Sequence, residues 1–159
     1  MIDSILPILV LLAALGCALM AGLFFTFSNF VMRALARLQA PQGVAAMQLI
    51  NIVILNPLFF LVFMGTAVLS LVLPVSLLWR TAHANEIFVI GGSLSYLVGV
   101  MAVTIVRNVP MNNALEVVEP TSDEANQLWQ QYLVNWTRWN HVRSVTSFLG
   151  TLFFILALT

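Results

Sequence analysis

The sequence predicts an all-α membrane protein: a bundle of four transmembrane helices with an amphipathic, interfacial segment before the fourth span. Three observations carry this. The chain of 159 residues is 61% hydrophobic and only 8% charged, where a soluble domain of this size is about one-quarter charged. The apolar residues fall into blocks long enough to cross a bilayer, which takes roughly 20 residues per helix. Polar residues at the ends of those blocks recur at spacings of three and four, the period of a helix face.

The spans are expected at about residues 5–31, 56–79, 87–109 and 138–158, within one membrane domain covering 1–159. The first opens on featureless Leu and Ala. It then carries Gly16, Ala18, Ala21 and Gly22, small enough for close helix contact, and ends in a polar stripe of Thr26, Asn29 and Arg33. Ala14-Leu15-Gly16-Cys17 faintly resembles a lipoprotein cleavage site. The only charge before it is Asp3, where a signal peptide needs a positive region, so the segment reads as a retained helix. A connection with Arg37, Pro41 and Gly43 leads to a second helical segment near Val44. Gln48, Asn51 and Asn56 punctuate this segment, and Pro57 kinks or ends it. Three amides so close together imply a partner network rather than lipid contact.

Residues 80–86 form a short loop containing Arg80 and His83. The third span begins with the close-packing run Gly91, Gly92, Ser93 and Ser95. It ends with Thr104, Arg107, Asn108, Pro110, Asn112 and Asn113, placing Arg107 about a turn inside the expected boundary. Glu116 to Glu124 holds four of the six acidic residues. Thr121 or Ser122 is positioned to cap a helix starting near Asp123, and Trp129, Trp136 and Trp139 are placed for the membrane interface.

The most unusual stretch lies just before the last apolar run and holds Trp136, Arg138, Trp139, Asn140, His141, Arg143 and Ser144. On a helix, Trp136, Asn140 and Arg143 share one face, and Thr137, His141 and Ser144 share the next. Four spans bring Arg33, Arg37, Arg107, Arg138 and Arg143 to one side against Arg80 on the other. The positive-inside rule therefore puts the arginine-rich side in the cytoplasm. The same side collects Asn29, Gln48, Asn51, Asn56, Arg107, Asn112, Asn113, Asn140, His141 and Arg143. Two readings fit this convergence. One is a small-molecule pocket at the polar end of an apolar body; the other is a structural polar network that locks helix register.

Zero net charge gives no nucleic-acid footprint, and all six basic residues are Arg, which stays protonated where Lys would not. The lone Cys17 cannot form an intramolecular disulfide. The polar group has one His and no Cys, so no metal set is evident; haem ligation by His141 is conceivable but nothing requires it. No nucleophilic triad or phosphate loop occurs. His141 is the candidate general base. Arg107 and Arg143, with the Asn amides, are suited to hold an enolate or phenolate.

The motifs Asn51-x4-Asn56-Pro57-x-Phe59, Val109-Pro110-x-Asn112-Asn113-x-Leu115 and Trp136-x2-Trp139-Asn140-x2-Arg143, taken together, resemble the DUF1772 family, also called the anthrone oxygenase family. The resemblance extends along the whole chain. It implies a small four-helix membrane protein of a family whose fungal members oxidise anthrones to anthraquinones without metal or flavin, and which has many bacterial members. It also implies that Asn56, Pro110, Asn112, Asn113, Trp136, Asn140 and Arg143 are family-pattern positions.

The expectation is an oxygenase without cofactor, in a bacterial inner membrane, acting on a lipophilic anthrone-like or phenolic substrate. Its catalytic residues would be His141, Arg107 and Arg143. Its substrate would be held by Asn29, Asn51, Asn56, Asn112, Asn113, Trp136 and Asn140. Its partners are the lipid bilayer and a lipophilic small molecule, with no nucleic acid, and the glycine-rich faces of spans one and three allow a homo-oligomer. The alternative is a non-enzymatic lipid- or quinone-binding protein, or a subunit of a larger membrane complex.

Overall fold

A computed structural model describes residues 2–79 and 85–159. They form five helices, with no strand among the described residues. Helix α1 runs over Ile2–Thr26 and continues through a widened π-helical turn, Phe27–Val31, into Met32–Leu35. Helices α2 and α3 are Ala40–Val53 and Pro57–Ser76. Helix α4 starts at Glu86–Leu94 and continues through the π-helical stretches Ser95–Ala102 and Thr104–Asn108 into Val109–Glu116. Helix α5, Asp123–Leu156, is 34 residues long.

Three helical stretches are long and apolar enough to cross a membrane: Ile5–Leu35, Pro57–Ser76 and Glu86–Glu116. The chain is an integral membrane protein. Both long stretches outrun their expected ends. In α1 the chain passes Asn29 and Arg33 without breaking. In α4 it passes Pro110, which stands in the first turn of Val109–Glu116, just after a π turn in which the Val109 amide reaches back to the Thr104 carbonyl. The wider turn gives the ring room and absorbs its missing N–H. Helix α5 is not among the three, since Asn140, His141 and Arg143 interrupt its apolar half. The interfacial segment and the last apolar run are one continuous helix, capped by Ser122 Oγ, which accepts from the Ala125 amide at 3.1 Å. Arg80 and His83 lie outside the described residues.

Helix α5 packs along α1, and α1 packs on α3; α3 and α5 both contact Glu86–Leu94 and Ser95–Ala102 of α4. One buried cluster fills this body with Ala13, Cys17, Leu73, Tyr96, Val100 and Phe154. Gly16 is required where α1 meets α3, because a Cβ there would collide with the Thr66 hydroxyl. A second cluster sits at the polar end, where α2 folds over the first half of α5 and buries Val44, Met47, Leu115, Trp129, Tyr132 and Trp136. Gln48 ties this cap down. Its amide nitrogen Nε2 donates to the carbonyls of Leu115 at 2.9 Å and Val118 at 3.0 Å, satisfying acceptors that the end of α4 leaves open.

A Cβ on Gly43 would stand 2.8 Å from the ring of Trp129, which is 1% exposed and has nowhere to move, whereas one on Gly22 meets nothing within 4 Å. Gly43→Ala should therefore lower stability by about 1–3 kcal/mol through overpacking. Gly22→Ala should be neutral or slightly stabilising from helix propensity. Thermal unfolding of both variants in detergent checks this; equal behaviour would mean that α2 does not seat on Trp129.

Candidate functional site

A cavity of about 760 Å³ lies at the polar end of the helices. Its walls are Leu23, Phe24 and Phe27 of α1, Met47, Ile50 and Asn51 of α2, Phe59, Phe60, Phe63 and Met64 of α3, Met101, Thr104, Ile105, Val109, Asn112, Asn113 and Glu116 of α4, and Trp136 and Arg143 of α5. Ile52, Ile54 and Leu55 complete it at the corner between α2 and α3. Most of this surface is aromatic or aliphatic, and the few polar groups are therefore conspicuous.

Chief among them is Arg143, which is 6% exposed. Its Nη2 donates to Asn140 Oδ1 at 2.6 Å and its Nη1 reaches Thr104 Oγ1 at 3.4 Å. The guanidinium carbon lies 4.3 Å from the centre of the Phe24 ring and 5.2 Å from that of Trp136. Its Nε is buried without a hydrogen-bond partner. None of these neighbours is an acid. Placing an Arg in apolar surroundings costs about 3 kcal/mol on insertion scales. The desolvated ring faces contribute about 2 kcal/mol and the bond to Asn140 about 1.5–3 kcal/mol. The charge is thus held but not neutralised.

Asn140 is fully buried behind it and uses both of its side-chain donors and its oxygen. The amide Nδ2 donates to the Phe24 carbonyl at 2.7 Å and to Ser28 Oγ at 2.8 Å, while Oδ1 accepts from Arg143. Ser28 also lies 3.2 Å from Ser144 Oγ. The π-helical turns occur beside these contacts. Ser28 lies within Phe27–Val31, and Thr104 and Asn108 within Thr104–Asn108. Asn108 donates from Nδ2 to the Trp136 carbonyl at 3.3 Å.

Trp129, Tyr132 and Trp136 stack one after the next, with centroids 5.7 Å apart at each step. Asn112 Oδ1 accepts from Tyr132 Oη and from Trp136 Nε1, both at 2.8 Å, fixing the last two rings. Burial pushes the Tyr132 phenol above its usual range, so it stays protonated as the donor. Asn51 lies beside this phenol, and its Nδ2 is buried without a hydrogen-bond partner on the cavity wall.

A family model described as anthrone oxygenase matches residues 59–153. The chain belongs to the anthrone oxygenase family. No curated protein and no solved structure matches. The family match is narrower than the whole-chain resemblance expected from the motifs. It takes in Thr104, Asn112, Trp136, Asn140 and Arg143, and leaves Asn29, Asn51 and Asn56 before its start.

The expected catalytic and substrate-holding residues divide into three groups. Asn51, Asn112, Asn113, Trp136 and Arg143 line the cavity. Asn140 and Asn56 serve structure instead. Asn140 supports Arg143 from behind. Asn56 is exposed and caps α3, with Oδ1 accepting from the Phe59 amide at 3.0 Å and Nδ2 donating to the Val53 carbonyl at 3.2 Å. Asn29, Arg107 and His141 lie outside the cavity on exposed surfaces. Arg107 stacks over Trp139 at 4.8 Å. His141 follows Asn140 by one residue and is therefore turned about 100° from it around α5, onto the outward face with Val145 and Phe148. Among the described residues no group of three or more His, Cys, Asp or Glu side chains is arranged to hold a metal.

Thr104, Ser28, Tyr132 and Glu116 are at or beside the cavity but are not among the site residues the sequence leads one to expect. Extending the four-residue spacing back from Trp136 reaches Tyr132, a signal that was available. Nothing in the chain marks Ser28, and Thr104 stands in the polar end of the third span with nothing to tie it to Arg143; both matter because neighbouring helices meet there.

Asn140→Leu should cost about 2–5 kcal/mol, because it strands the Phe24 carbonyl and removes the neutral bond that orients a buried charge. Asn56→Ala should cost about 1 kcal/mol, the loss of a helix cap, and Asn29→Ala almost nothing. Chemical or thermal unfolding of the three variants in detergent gives the ranking, and a costly Asn29→Ala would contradict the placement of that side chain.

Proposed function

We propose that this protein is an oxygenase needing no cofactor, which uses the cavity beside Arg143 to ionise a lipophilic anthrone-like or phenolic substrate. Family membership supports the reaction class. The observation that carries the reading is the Arg143 guanidinium, nearly buried on the wall of an aromatic cavity, with an unpaired Nε and, among the described residues, no acid in an ion pair with it. A buried cation in such a place has an obvious partner in an oxyanion brought by the ligand.

The chemistry follows from that pairing. An anthrone is a carbon acid whose enolate spreads charge onto a carbonyl oxygen. Arg143 stabilises that oxygen as charge develops, and the apolar walls strengthen the interaction by excluding water. The released proton passes to water at the rim formed by Asn112, Asn113 and Glu116. The electron-rich carbon then gives an electron to O2 and combines with the superoxide so formed, making a carbon–oxygen bond and a peroxide. Loss of the second hydrogen from that carbon, with cleavage of the O–O bond, yields a ketone. Thus CH2 and O2 become C=O and H2O. His141 and Arg107, outside the cavity, have no part in this scheme. Asn140 acts through Arg143, and Asn51, Asn112 and Trp136 shape the site.

We further propose that the second half of α5, from about residue 138, is a fourth span completing a four-helix bundle. It packs along α1 and turns Val145, Phe148, Leu152 and Ile155 outward, while Arg143 faces inward. In this arrangement the cavity end, with Arg33, Arg37, Arg107 and Arg138, faces the cytoplasm of a bacterial inner membrane.

Oxygen uptake and quinone formation by the protein in vesicles supplied with an anthrone test the reading. The intact protein should consume one O2 per quinone formed, and Arg143→Gln should lower kcat/KM by about a hundredfold or more, in the range for loss of an oxyanion donor. Arg143→Lys should recover only part of this, lacking the planar fork. Equal turnover in Arg143→Gln would remove the guanidinium from the mechanism.

A further inference from the structure

The cavity wall is not sealed on the apolar outer surface of the helices. Helix α3 packs against Glu86–Leu94 and Ser95–Ala102 of α4, and beyond Ala102 the two helices part. The gap is edged by Phe60 and Met64 on one side and Ile105 and Val109 on the other, all of which line the cavity. They are also exposed, Met64 at 45% and Ile105 at 60%. Met64 lies about 10 Å into its span from Pro57, and Ile105 about 16 Å from the end of its own at Glu116, at 1.5 Å per residue. The gap therefore sits at acyl-chain depth, with no charged side chain on its edges. The charged groups of the cavity lie elsewhere, Arg143 on its buried wall and Glu116 exposed at the end of α4, and Thr104, beside Ile105, is turned to Arg143.

We infer that the cavity takes its ligand sideways from the hydrocarbon layer, through the gap between α3 and α4, rather than from water. This rests on the cavity being a ligand site, as proposed above. It narrows the ligand class to molecules that dissolve in lipid tails and carry a single acidic oxygen at one end. Such a molecule enters body-first along Met64 and Ile105 and needs to shed little water before its oxygen meets Arg143. A highly charged, water-soluble substrate has no route, since the gap gives its charges no partner.

Trp136 reports on the route without turnover, because it lines the cavity and is only 5% exposed. The probe is phosphatidylcholine brominated along its acyl chains, in vesicles, compared with ordinary phosphatidylcholine. The Trp136 signal is the difference between the intact protein and Trp136→Phe. Bromolipid should quench that signal by half or more, and aqueous iodide should leave it nearly unchanged. Filling the gap with Met64→Phe and Ile105→Phe together should cut the lipid quenching at least by half, with circular dichroism showing the helices intact. Quenching by iodide but not bromolipid, by neither, or undiminished in the filled variant would each overturn the inference. A protein that shows lipid quenching but consumes no oxygen keeps the lateral route and loses only the proposed chemistry.

Discussion

The bond from Arg143 to Asn140 is the constraint on which the polar end of this protein depends. A guanidinium among Phe24, Trp136 and the apolar walls of a cavity cannot be left to find its own orientation, because few polar side chains are within its reach. Asn140 fixes it from behind, and in the same step joins α5 to α1 through the Phe24 carbonyl and Ser28. An Asp at position 140 would neutralise the charge and leave nothing for a ligand to meet. The neutral amide holds the cation in place and keeps its charge available.

The surrounding architecture serves that arrangement. Regular α-helices at the level of Arg143 would offer no spare carbonyl and little room. The π-helical turns in α1 and α4 widen the backbone where Ser28, Thr104 and Asn108 approach α5. Such turns are frequent at functional sites. Helix α2, pinned by Gln48, then covers the end of the cavity and brings Asn51 to its wall. The stack of Trp129, Tyr132 and Trp136, locked by Asn112, gives that wall a rigid aromatic face. Function and fold share these residues, so changes at Asn112 or Asn140 act on both.

The helices were legible in the sequence because bilayer length and hydropathy leave few choices. The shared face of Trp136, Asn140 and Arg143 was legible because helix period fixes it. What sequence could not supply was direction around each helix relative to its neighbours. Asn29, Arg107 and His141 carry the right chemistry and lie at the right depth, yet point outward. A single residue step separates Asn140, wholly inside, from His141, outside. Asn56 looked like a ligand contact because it is an amide beside a membrane span, but its position before Pro57 is that of a helix cap. The lateral gap depends on two helices diverging past Ala102, which no local pattern encodes.

The most direct measurement on the central claim is the side-chain NMR spectrum of the protein labelled with 15N at arginine, titrated with a lipophilic phenol such as 1-naphthol. The chain has six basic residues, all arginine. One Nε–H resonance, missing from Arg143→Gln, should shift as the phenol is added, while those of the exposed arginines stay in place. If the Arg143 resonance does not respond, or only the exposed arginines do, the buried guanidinium is not the ligand's partner and the account of the site fails.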